Sequence, residues 1–218
     1  MSLQLRVYVP DHPLVKHWLA IARDKNTPTP LFKTAMKELG KWLTYEAARY
    51  WLPTLEAAVE SPVAPASVTL IHPQAEIVAI PILRAGLSLL EGAQEVITAN
   101  ATYHLGYGRD EASLEARCYL NNLPAEFSEE TRVLLLDPML ATGGTMMAAM
   151  AEVVKRGVNP ANIRIVSTVV APPALQALSN AYEGLQVYTA IIDQELNGKG
   201  YIVPGLGDAG DRSFGTGS

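Results

Sequence analysis

The apolar positions change period along the chain. In residues 3–9, Leu3, Leu5, Val7 and Val9 alternate with Gln4, Arg6 and Tyr8, which predicts a short strand. Asp11 ahead of Pro13 marks a helix start, and Leu14, Trp18, Leu19, Ile21 and Ala22 give that helix an apolar face. Residues 26–30 break the pattern. Thr29 then caps a second helix with Pro30 at its first position. Apolar residues at helical spacing, from Leu31 to Leu52, carry that helix to Pro53, with Gly40 as a point where it would bend or split.

Residues 61–75 are rich in Pro, Ser and Ala, are poorly periodic, and read as a link. Beyond them the period alternates. Strands are predicted at 76–83, 101–108, 132–136, 163–171 and 185–192, and helices at 85–98, 144–156 and 173–181. Residues 117–120 would return as the second arm of a hairpin. Strands alternating with helices imply a doubly wound, mainly parallel α/β sheet, here with a helical N-terminal part and a β-arm. The expected organisation is a single domain over 1–218. It comprises a helical part at 1–60, an α/β core at 76–195, and a loop and tail at 196–218.

Composition narrows the class. The 218 residues are 49% hydrophobic and 18% charged, which suits a folded globular domain. No apolar run is long enough to span a bilayer, and residues 1–6 lack the basic-then-apolar layout of a secretory leader. The single cysteine, Cys118, cannot form an intrachain disulfide, so a cytoplasmic location is expected. A net charge of −5 weighs against a nucleic-acid partner. His12 and His17 are five apart and do not form a ligand pair on one helix face; packing or surface roles are expected for them.

Candidate chemistry gathers at the ends of the predicted strands, where ligands bind in such sheets. The run Val133-Leu134-Leu135-Leu136 enters Asp137, and Pro138, Met139, Leu140, Ala141, Thr142, Gly143, Gly144 and Thr145 follow. Residues 141–145 offer closely spaced N–H groups and two hydroxyls at a helix start, which is a cradle for a phosphate. No Lys follows the glycines as in a Walker loop, and the glycine spacing is not that of a dinucleotide fold. Asp137 could accept ribose hydroxyls. A second strand ends in Arg84-Ala85-Gly86, where a planar guanidinium would suit a diphosphate. Arg109, in the turn from Tyr107 to Glu111, is a second such cation, although alone that turn reads as a charged hairpin tip. Residues 201–211 hold Gly205, Gly207 and Gly210, so backbone could approach and read the edge of a planar base. A flexible tail is the competing reading there.

Taken together, residues 81–87, 107–111, 137–145 and 201–211 resemble the uracil phosphoribosyltransferases, a branch of the type I phosphoribosyltransferases. Most type I members carry two adjacent acids where this chain has Asp137-Pro138, and proline in the second place is similar to the uracil branch. The resemblance implies transfer of a phosphoribosyl group from 5-phosphoribosyl 1-diphosphate (PRPP) to uracil, with Mg²⁺ as cofactor. It implies PRPP contacts from Arg84, Arg109, Asp137 and residues 138–145. Uracil contacts would come from Ile202, Gly207 and Ala209, with Asp208 near the reacting centre or the PRPP-bound metal. It also implies a homo-oligomer and a GTP effector. A transferase for another base and a PRPP-binding regulator of nucleic acid are the alternatives. The 201–211 segment weighs against the first, and the acidic balance against the second.

Overall fold

The structure, a computed structural model, describes residues 5–109 and 116–216, without the side chains of Arg109 and Ala116. In chain order, strand β1 (Arg6–Tyr8) precedes helices α1 (Pro13–Arg23) and α2 (Thr29–Ala48), and strands β2 (Thr54–Glu60) and β3 (Pro65–Ile71) follow. Next come β4 (Ile77–Leu83), α3 (Leu87–Val96), β5 (Ala101–Thr102), β6 (Leu105–Arg109) and β7 (Ala116–Asn121). After these lie β8 (Arg132–Leu136), β9 (Met139–Leu140), α4 (Gly144–Val154), β10 (Ile163–Val170), α5 (Pro172–Ala181) and β11 (Gln186–Ile192). The chain closes with β12 (Glu195–Leu196), β13 (Ile202–Val203) and α6 (Ala209–Phe214).

The central sheet runs β1-β11-β10-β8-β4-β6-β7, with β5 beside β4 and β9 beside β10. Every pairing in it is parallel except β6 with β7. Its middle strands read as unbroken apolar runs because helices cover both faces. In β8, Leu134 and Leu136 pack with α1, α2 and α3, whereas Val133 and Leu135 pack with α4 and α5. The sheet is therefore doubly wound, and the β6–β7 arm folds back along one edge.

Several local expectations change. The second helix ends at Ala48 rather than reaching Pro53. Trp51 and Leu52 keep the helical spacing, but Trp51 turns to donate its indole N–H to the Asn162 carbonyl at 3.1 Å. The Arg132 guanidinium in turn donates to the Trp51 carbonyl at 2.7 Å. Gly40 neither bends nor splits α2; a β-carbon there would collide with the Leu89 backbone, so the glycine sets how closely α2 and α3 pack. Residues 54–71, split between a helical part and a linker in the sequence reading, form an antiparallel hairpin that pairs Thr54 with Ile71 and Glu60 with Pro65. The helix cap also moves. His12, not Asp11, holds the N-terminus of α1, its Nδ1 accepting from the Leu14 N–H at 3.1 Å. His12 also stacks on Trp42 with ring centres 5.8 Å apart, so it has a packing role as expected.

Candidate active site

The site is built from four strand-end loops that meet at one edge of the sheet. β8 delivers the first. Its register with β10 holds as far as Leu136 against Val166, and then the chain leaves the sheet at Asp137. Pro138, which has no N–H to lose, is buried, and its carbonyl accepts from the Thr168 and Val169 N–H groups at 3.0 Å each. That anchor fixes the loop before Met139 and Leu140 pair briefly with β10. Gly143 then opens α4 with φ at 89°. No side chain caps the helix, so its first N–H groups face the small hollow that Ala141, Thr142, Gly143, Gly144 and Thr145 line. Unsatisfied N–H groups and the positive end of the helix dipole make this an anion seat.

Asp137 sits between that hollow and the larger cleft and lines both. It is partly buried, and its carboxylate accepts only a long bond, from the Met139 N–H at 3.4 Å. Desolvation therefore dominates and pushes its carboxyl up to about 7, with the Met139 bond opposing.

β4 delivers the second loop. Leu83 and Arg84 are joined by a cis peptide, and Gly86 packs so tightly that a β-carbon would collide with the Leu136 carbonyl. Arg84 is exposed and reaches across the cleft. Its Nη2 lies 3.3 Å from Asp211 and 3.2 Å from the Thr216 hydroxyl, and its guanidinium stands 5.7 Å from the Phe214 ring. β6 brings Tyr107 and Gly108 to the same cleft. Among the described residues the Tyr107 hydroxyl has no hydrogen-bond partner, and burial raises its pKa well above the ordinary tyrosine value. β6 ends at Arg109, whose side chain lies outside the described residues, as do Asp110 and Glu111.

The fourth loop runs from β13 to α6. Asp208 caps α6, its Oδ1 accepting from the Asp211 N–H at 3.0 Å. Asp208, Gly210 and Asp211 line the cleft, whose volume is about 340 Å³. Among the expected base contacts, Ile202 and Ala209 bury their side chains in the core beneath the loop, and neither they nor Gly207 lines this cleft. The cleft thus joins Arg84, Asp137, Met139, Thr142, Gly144, Thr145 and Asp208, and Ile202, Gly207 and Ala209 lie outside its lining.

Two groups were given no role by the sequence, Asp193 within a stretch that resembles the family and Arg212 outside any such stretch. Asp193 follows β11 and is buried; it receives Arg23 through contacts of 2.6 Å and accepts from the Gly205 N–H at 2.9 Å. Arg212 spans Leu206, Ala22 and Asp24, donating to their carbonyls at 2.7, 2.5 and 2.6 Å, with its guanidinium 4.1 Å from the Phe32 ring. Both tie the 201–211 loop to α1. No local pattern in the sequence signals either contact. Asp211 lay within the recognised segment without a role, and the cleft now gives it one beside Arg84.

Comparison with known proteins places this arrangement. A family model described as uracil phosphoribosyltransferase matches residues 9–216. The chain belongs to the uracil phosphoribosyltransferase family. A uracil phosphoribosyltransferase of Nostoc sp. is 62% identical over 99% of this chain and 100% of its own. The chloroplastic uracil phosphoribosyltransferase of Arabidopsis thaliana is 54% identical over 99% of this chain and 73% of its own. A solved protein of Aquifex aeolicus superposes with a TM-score of 0.85 at 37% identity, covering 96% of this chain and 98% of that one. The family match covers almost the whole chain, including the cleft and the loops around it.

Proposed function

We propose that the chain transfers the phosphoribosyl group of PRPP to N1 of uracil, forming UMP and releasing diphosphate. The observation that carries this reading is the uncapped start of α4, opened by Gly143, in one cleft with Asp137 and Arg84. The spacing suits a 5-phosphate at one end, ribose hydroxyls in the middle and a diphosphate at the other.

Residues 141–145 would hold the 5-phosphate through N–H groups and the Thr142 and Thr145 hydroxyls. Asp137 would accept from the ribose hydroxyls. Arg84 and Arg109 would take the diphosphate, Arg84 exchanging Asp211 and Thr216 for phosphate oxygens. As the C1′–oxygen bond to diphosphate breaks, positive charge develops on the ribose ring. N1 of uracil, held by backbone groups near Ile202, Gly207 and Ala209, then bonds to C1′ as its N–H bond breaks and the proton passes to the departing diphosphate. Positioning and electrostatics are the work assigned to the protein, with no covalent enzyme intermediate.

Asp137, Asp208 and Asp211 line the cleft with carboxyl groups, the hard oxygen ligands that magnesium takes, but among the described residues no three acidic, histidine or cysteine side chains cluster closely enough to hold a metal alone, so magnesium would need oxygens from PRPP. Asp208 would help hold magnesium that is bound mainly through PRPP, and the ion would supply positive charge beside the diphosphate. The same reading carries an assembly of two or more chains and GTP as an effector. Among the described residues no helix is long and apolar enough to cross a membrane. A cytoplasmic location is part of the proposal, alongside a plant relative named as chloroplastic.

The deciding experiment is UMP formation from uracil and PRPP with magnesium, with GTP added in a parallel series and the protein sized in solution. UMP above background supports the reading. Diphosphate release with a purine, and none with uracil, would overturn it.

A further inference from the structure

A second cavity, of about 370 Å³, lies at the opposite end of the sheet from the active site. It opens where β10 and β11 begin, whereas the catalytic loops leave the sheet where β4 and β8 end. Register places Arg6, Gln186 and Arg164 side by side on three neighbouring strands, and Tyr8 and Tyr188 one step further along the same face. The two tyrosines stack, with ring centres 4.7 Å apart and planes 9° apart. The end of α2 closes the other side with Glu46 and Arg49.

The charges in this cavity do not balance. Arg6, Arg49 and Arg164 face it with one carboxylate, Glu46, which Arg49 already holds at 2.9 and 3.2 Å. Arg164 retains only 6% of its surface. Its Nη1 donates to the Ala161 and Ile163 carbonyls at 2.9 and 3.1 Å, its Nε has no hydrogen-bond partner among the described residues, and Trp51 lies 5.7 Å from the guanidinium. The Tyr188 hydroxyl also bonds to the guanidinium, but it is neutral, and Arg132, the charged group close to Arg164, has the same sign. A buried guanidinium is costly without an anion beside it, and its planar fork matches phosphate oxygens.

We infer that this cavity is a second anion site, for a phosphate group seated among Arg6, Arg49 and Arg164 against the Tyr8–Tyr188 wall. It is separate from the 5-phosphate cradle and does not depend on the reaction proposed above. The strands beneath it lead to the active site. β10 ends beside Leu140 of the cradle, and β11 ends next to Asp193, which holds the 201–211 loop. An occupied cavity would thus brace the two strands that support both halves of the catalytic cleft.

Equilibrium dialysis of the full chain with inorganic phosphate, and in a parallel arm with ATP, tests the site against the Arg6→Gln/Arg49→Gln variant. Both side chains lie far from the cleft, so UMP formation by the variant, measured without added phosphate or ATP so that the cavity is empty in both proteins, should equal that of the native chain and report its folding. The native chain should bind one more phosphate than the variant, or bind it about tenfold more tightly for each arginine removed. Tighter binding of ATP than of phosphate would assign the group to a nucleotide, and the reverse to free phosphate. Equal stoichiometry and affinity in native chain and variant, in both arms, would overturn the inference. A crystal of the native chain soaked in tungstate gives an independent reading. Density beside Arg164 supports the site, and density in the cradle alone refutes it.

Discussion

Arg23 and Asp193 stand 170 residues apart in sequence and meet through contacts of 2.6 Å at the edge of the 201–211 loop. The same carboxylate accepts from the Gly205 N–H, so one buried acid joins the end of α1 to the loop expected to read the base. Asp193→Asn should destabilise the fold by about 3 kcal/mol. That is the lower end for a broken buried pair, because 24% of the Arg23 side chain stays in water. The loosened loop should raise the uracil KM more than the PRPP KM. Denaturant midpoints and steady-state kinetics measure the two effects, and equal rises in both KM values would refute a role specific to the base loop.

Asp137 makes stability depend on pH in an unusual direction for an acid. Its folded carboxyl titrates at about 7, against an ordinary value of 3.8. Between those values the folded chain keeps a proton that the unfolded chain has lost. The contribution to stability is therefore fully present below about pH 4 and is lost as pH rises through 7. Asp137→Asn removes this dependence, so the stability difference between variant and native chain should widen in the variant's favour from pH 5 to pH 8. The same nearly isosteric change should lower turnover steeply while preserving the fold. Unfolding curves at the two pH values, set beside UMP formation, separate the two outcomes.

Much of this site was readable because strand-end loops in a doubly wound sheet carry their own signals. Residues 133–136 are apolar without alternation because both faces are covered, and the change to Asp137 and small residues marks the exit from the sheet. The 54–71 hairpin was hidden for the opposite reason. Its two strands have no fully buried residue, so partial burial of Leu55, Ala57, Ala66 and Val68 leaves only a faint alternation among Pro, Ser and Ala. The end of α2 was misplaced because Trp51 keeps helical spacing while bonding to Asn162, 111 residues away. Arg23 with Asp193, and Arg212 with Ala22, were invisible for the same reason. Long-range polar pairing leaves no period in the sequence, and it is what fixes the base loop in place.

Gly143 tests the phosphate cradle. Its φ of 89° is a conformation that side chains resist, and a β-carbon there would stand 2.9 Å from the Ala174 Cα. Gly143→Ala should cost about 1–3 kcal/mol in strain and tilt the first N–H groups of α4 away from the phosphate. The PRPP KM should rise clearly, and the uracil KM at saturating PRPP should change little. Kinetics with each substrate varied in turn decide this, and an unchanged PRPP KM would remove the cradle from the binding of PRPP.

Asp208 carries two roles that two substitutions can separate. Its Oδ1 caps α6 through the Asp211 N–H, and its carboxylate lines the cleft where the PRPP-bound magnesium is proposed to sit. Asparagine caps a helix about as well as aspartate but brings no charge, whereas alanine does neither. Asp208→Asn should therefore hold stability within a few tenths of a kcal/mol, and Asp208→Ala should lose about 1 kcal/mol. If the charge acts on the metal or the reacting centre, both variants should lose turnover to a similar extent, and both should require more magnesium for half-maximal rate. If capping alone matters, Asp208→Asn should match the native chain in turnover and in magnesium requirement. Magnesium titrations of the three proteins, each checked by its unfolding midpoint, distinguish a charge used in the reaction from an acid used only to start a helix.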